Sequence, residues 1–171
     1  MRLLGKLLKS IRQKLELKNI SNKRIFGVVE SYSDINYSYL LLGEDGNKYF
    51  FSRNLVGHDK TDVFLSCLLN KGVKVSFNAT KNNIAYNLEV DKEKYKIVKG
   101  IIDYVLFNES ELDYDCGVIA TINNQRKHLK FNLDLVSPSG ERVNKVKPDG
   151  SVDILYDSVN EKLMSVYIEV D

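Results

Sequence analysis

The chain of 171 residues contains no tryptophan, two prolines, two cysteines and two histidines. Each shortage removes a class of protein. Cys67 and Cys116 stand far apart in apolar surroundings and form no CxxC pair, so a disulfide scaffold or cysteine zinc site is not expected and buried thiols are. His58 and His128 have no Cys or His neighbour at ligand spacing, so no metal centre is expected either. The sequence has no phosphate loop, no GxGxxG and no nucleophile elbow. Carboxylates at close spacing, Asp113 with Asp115 and Asp153 with Asp157, are what any solvated surface carries. The expectation is a protein that is not an enzyme and holds no cofactor. No apolar run approaches the roughly 20 residues of a membrane span. Lys6 and Lys9 interrupt the apolar stretch that a signal peptide would need, so a soluble, cytoplasmic protein is expected.

What is present is material for a core and an uneven charge. Hydrophobic residues make up 43% of the chain and aromatics 10%, enough for one domain of ordinary size or two small ones. The net charge of +2 hides a split: residues 1–24 carry eight bases against the single acid Glu16, or +7, which leaves −5 for the rest. In that leader Leu3, Leu4, Leu7, Leu8, Ile11 and Leu15 recur at spacings of three and four, which predicts an amphipathic basic helix. Its leucine stripe can pack on its own domain, dock on a protein partner, or lie on an anionic membrane, the last being the least expected.

From residue 24 the pattern changes to short extended runs. RIFGVVESYS, YSYLLL, NKYFFS, VKVSF and IAYNLEV are punctuated by DIN, GEDGN, NKG and TKNN, which predicts five strands. Within GHDKTDVFLSCLLNKG, the positions of Val63, Phe64, Cys67 and Leu68 fit one helical face. Five short strands with a brief insert after the third read as a small oligonucleotide/oligosaccharide-binding (OB) barrel.

The same residues resemble a diverged cold-shock domain. RIFGVVESY stands where that family has its first strand, YSYL at 37–40 for its FGFI, GEDGNK for its acidic-Gly turn, and YFFSRNLV at 49–56 for its VFVHFSAI. LNKGVKVSF and AYNL complete the order. The resemblance implies that Tyr37, Tyr39 and Phe50 stack unpaired bases, while Ser31, Ser52 and Arg53 replace a tryptophan, a histidine and a phenylalanine of the family. Arg53 can partly substitute, because a guanidinium plane stacks on bases and bonds phosphate. The alternative for each tyrosine is a half-buried strand residue with no ligand.

The second half repeats the scheme with a period near 75 residues, through KGIIDYV, DCGVIAT, LKFNLDLV, DGSVDILY and MSVYIEV. Here the resemblance puts Tyr104 at the tryptophan position, Cys116 and Val118 in place of the second-strand aromatics, and Lys130 and Asn132 at the phenylalanine and histidine positions. Phe131 has core parity. The expected architecture is mainly β: a basic helical leader over 1–23, a first five-stranded cold-shock-like OB barrel over 24–91 and a more degenerate second one over 92–171, joined by a polar linker or shared strand at 90–96. The expected function is single-stranded RNA or DNA binding, with Tyr37, Tyr39, Phe50 and Tyr104 as stacking rings, and Lys48, Ser52, Arg53 and Lys130 as polar contacts. The alternative is an adaptor that meets a protein partner through the leucine stripe of the leader.

Overall fold

The computed structural model describes residues 23–33, 38–52, 61, 63–137 and 141–168. Residues 1–22 of the expected helical leader lie outside the described residues, as do Tyr37, Arg53 and His58.

The described chain is mainly β, in two five-stranded antiparallel sheets. The first contains β1 (Ile25–Ser33), β2 (Ser38–Gly43), β3 (Lys48–Ser52), β4 (Lys74–Ala79) and β5 (Ala85–Glu89), in the spatial order β3-β2-β1-β4-β5. The second contains β6 (Tyr95–Asn108), β7 (Asp113–Ile122), β8 (Gln125–Phe131), β9 (Ser151–Asp157) and β10 (Lys162–Tyr167), in the order β10-β9-β6-β7-β8. The two orders are the same winding about a central first strand. A short helix α1 (Val63–Leu68) precedes β4, and 3-10 turns at Leu133–Leu135 and Glu141–Lys145 precede β9.

Local chemistry accounts for the hairpins. Between β2 and β3 the Asp45 carboxylate accepts from the Asn47 N–H at 3.0 Å and Gly46 takes φ +79°, which a residue with a β-carbon rarely adopts. Between β7 and β8 the two-residue loop Asn123–Asn124 has φ of +51° and +63°, the left-handed pair that matches strand twist. The central strand of each sheet carries a register shift at the corresponding place, between Val29 and Ser31 in β1 and between Ile102 and Tyr104 in β6.

The first sheet curls until its outer strands meet, and in the second the segment after β8 reaches the outer strand β10. The Phe50 N–H donates to Asn83 O at 2.9 Å beside a parallel bridge from Phe50 to Ile84, so β3 touches the start of β5. In the second half the Ser137 N–H donates to Val166 O at 2.8 Å, beside a parallel bridge from Val136 to Val166. These contacts cover backbone that an open edge would leave unpaired.

One boundary differs from the sequence expectation. The strand expected over 129–136 runs instead from Gln125 to Phe131, because the chain turns into 3-10 geometry at Leu133. The segment 90–96, expected as a polar linker or shared strand, is a turn, held by Asp91 accepting from the Glu93 N–H at 2.9 Å, that leads directly into β6. The Tyr95 ring that opens β6 is buried in the first core, and its hydroxyl accepts from the Lys74 N–H at 3.1 Å. Leu155 of β9 belongs to that core too. Carbonyls at the end of α1 and just past it receive hydroxyl protons from the other half, Leu68 O from Ser165 and Leu69 O from Ser137. Cys67 and Cys116 are buried and neither forms a disulfide. Among the described residues no helix is long and apolar enough to cross a membrane.

Candidate nucleic-acid interface

Strand pairing sorts the first-half candidates by face, since residues opposite one another in adjacent strands point the same way. Leu40 faces Phe50, Leu42 faces both Val28 and Lys48, and Val28 faces Lys74. Phe26 lies two residues from Val28 on the same side, opposite Ser76. This outer face therefore carries Phe26, Val28, Leu40, Leu42, Lys48, Phe50 and Lys74. Phe26 and Phe50 are each 57% exposed, and Val28, Leu40 and Leu42 are half-buried between them.

Tyr39 belongs to the opposite face. It pairs with Tyr32 and Phe51 and has no exposed surface, its ring centroid 4.7 Å from that of Tyr32 and 6.2 Å from that of Phe51. The expectation that Tyr39 stacks a base is corrected: a ring enclosed by the core offers no plane to a ligand. Ser52 lies opposite Ser38 on the Phe50 side and is half-buried. Phe26 and Lys74 were not singled out from the sequence. The parity of Lys48 is the signal that bears on this strand, because a lysine placed outward makes Phe50 outward and Tyr49 and Phe51 inward.

The cations on this side are not equally available. Lys48 is held by Glu30 at 3.0 Å, an exposed pair whose attraction is weak and screened. Lys74 is exposed. Arg24 is committed to β4 and β5: its guanidinium donates to Ser76 Oγ and Asn78 Oδ1 at 3.2 Å and to Asn87 O at 2.5 Å, and pairs with Glu89 at 2.7 Å. At the rim of the face, Tyr49 donates its hydroxyl to Asp45 at 2.5 Å, and that bond, with the Asn47 N–H, lowers the Asp45 pKa from its ordinary value.

The second half brings Tyr104 and Lys130 together. Gly117 pairs with Tyr104 on one side and Lys130 on the other, so the three form one outward row. A β-carbon at 117 would stand 2.7 Å from Cδ1 and 2.8 Å from Cζ of Tyr104, which shows the ring lying across the glycine with one plane covered. Tyr104 is half-buried and Lys130 exposed. Farther along the same face a shallow groove of about 810 Å³ is lined by Lys99, Ile101, Ile119, Thr121, Arg126 and Ser151. Lys99 is paired with the buried carboxylate of Asp153 at 2.8 Å.

Burial raises the Cys116 thiol to about 11, with Asp113 and Asp115 adding to the shift, so it is a poor nucleophile at neutral pH. Among the described residues no group of three or more His, Cys, Asp or Glu could hold a metal ion. No protein-family model matches the chain, and no curated protein matches it.

Proposed function

We propose that this protein binds single-stranded nucleic acid on the outer face of β1 to β4, stacking bases on Phe26 and Phe50 and drawing the phosphate backbone with Lys48 and Lys74. Each half is, on this reading, a small barrel of the OB class, and the protein acts by binding, not by catalysis. The observation that carries the proposal is the pair of phenylalanine rings, each 57% exposed, on one sheet face bridged by half-buried aliphatic residues.

A single exposed apolar residue needs no explanation. Two aromatic rings joined by an aliphatic stripe make a contiguous patch, and such patches mark binding surfaces. Full burial of a phenylalanine is worth about 1.5–3 kcal/mol, and each ring here forgoes part of that in the unbound state. A base stacked on an aromatic ring returns about 1–3 kcal/mol without demanding a particular sequence. The strand order and the closing contact between β3 and β5 support the class of fold, since OB barrels bind oligonucleotides across the face of their second and third strands.

The test is fluorescence anisotropy with mixed-sequence single-stranded RNA, single-stranded DNA and duplex at two salt concentrations. Single strands should bind more tightly than duplex, and affinity should fall with salt as phosphate contacts release counterions. Phe26→Ala combined with Phe50→Ala should weaken single-strand binding by about tenfold or more, from the range for stacking on each ring. Equal affinity of the double variant and the wild-type protein would reject this face.

A further inference from the structure

We infer that the β6–β7 hairpin is a docking surface for a cationic segment of a partner protein, one that carries lysine or arginine around exposed aliphatic side chains. The hairpin runs beyond the second core, and beside the acidic residues of its turn it exposes large apolar side chains. Leu112 is 80% exposed at the turn and Phe107 53%, while Leu106, 61% exposed, pairs with Asp115 on the other face. Phe107 and Tyr114 pair across the strands with ring centroids 5.1 Å apart. Beside them a pocket of about 250 Å³ is lined by Val105, Tyr114, Leu133, Val143 and Val146, room for an aliphatic side chain.

Backbone geometry adds an independent observation. Leu112 holds φ at +53°, a conformation that a side chain with a β-carbon adopts at a cost. Most other non-glycine residues in that region of this chain are asparagine or aspartate, as at Asn83, Asn123, Asn124 and Asp149, where local polar contacts ease the strain. A leucine that is strained and almost wholly exposed does nothing for the isolated fold. Strain held at such a place points to use.

Charge selects the occupant. Residues 100–125 contain five carboxylates, Asp103, Glu109, Glu111, Asp113 and Asp115, and no lysine or arginine. The exposed Lys145 and Lys147 flank the pocket residue Val146, and the hairpin's five carboxylates outnumber them, so the surface disfavours phosphates and anionic lipid headgroups and draws a cationic polypeptide. The surface is thus separate in sign and in position along the chain from the face proposed for nucleic acid, and its fate does not depend on that reading.

The experiment titrates the full-length protein with a fluorescent 18-residue peptide of alternating leucine and lysine pairs, beside a matched peptide with glutamate for lysine. Saturable binding of the lysine peptide only, weakened by salt, is expected. Leu112→Asn keeps every charge and relieves the left-handed leucine, so it should leave the unfolding midpoint unchanged or raised while lowering affinity at least fivefold. Phe107→Ser should lower affinity in the same way. Wild-type affinity in both variants would overturn the inference, as would equal binding of the glutamate peptide. The chain's own residues 1–22 also combine leucines with bases. If Lys6→Glu with Lys9→Glu in the full chain tightens peptide binding, the leader is the occupant and a partner protein is not.

Discussion

Tyr39 and Phe50 sit on neighbouring strands, and one position of the pleat decides that the first is core and the second surface. The difference is measurable. Tyr39→Ala should cost about 3–5 kcal/mol of stability by urea denaturation, the usual range for emptying a buried aromatic site. Phe50→Ala should change stability by under about 0.5 kcal/mol, as expected of an exposed position. A small loss in the first variant would show that its ring is not enclosed. The sequence could not separate the two faces in this region because both parities are apolar: Tyr39, Leu40, Leu41 and Leu42 follow one another without a polar residue. Only Lys48 marks a direction in β3, and it marks Phe50 correctly. Phe26 was hidden in the same way, inside the run Ile25 to Val29, and the resemblance to cold-shock domains drew attention to β2 instead.

Strand content was legible because β-branched and aromatic runs were separated by turns rich in asparagine, aspartate and glycine. Where the turn chemistry was less marked, at Asn132, the end of β8 was misplaced. The turn after β9 shows how much one carboxylate can organise. Asp157 accepts from the N–H groups of Val159 and Asn160 at 3.0 Å and from the Asn160 amide at 2.8 Å, and lies 3.4 Å from Lys94. Burial raises its pKa, but the Asn160 bonds and the Lys94 ammonium outweigh burial and leave it below the ordinary value of 3.8. A carboxylate with a lowered folded-state pKa contributes stability above its unfolded value, and that contribution is lost as pH falls through the folded value. Asp157→Asn should therefore be less stable than wild type at neutral pH, and the gap should close below about pH 4. Urea midpoints of both proteins at a series of pH values measure this. A gap that stays constant to low pH would mean that the carboxylate charge is not what holds the turn.

The repeat of two halves could be read along the chain, but their union could not, because the residues that make it carry no periodic signal. Ser137 and Ser165 are small polar residues in unremarkable places, yet both are buried and both donate to carbonyls at the end of α1 or just past it in the other half. Tyr95 and Leu155 complete a core whose remaining buried members precede residue 90. A helix end buried without such donors would leave carbonyls unpaired, at about 1–3 kcal/mol each. The first sheet therefore depends on the second for both packing and hydrogen bonds, and the molecule should unfold as one unit. Urea unfolding followed by circular dichroism and by tyrosine fluorescence is expected to give one coincident transition. Ser165→Ala should shift that single transition to lower urea by about 1–3 kcal/mol, without splitting it. A fragment of residues 23–91 lacks Tyr95, Leu155 and both serines, so it should not reach the stability of the intact chain. Two separate transitions in the full protein, or a fragment as stable as the whole, would mean that the halves stand independently and that the buried serines only decorate their contact.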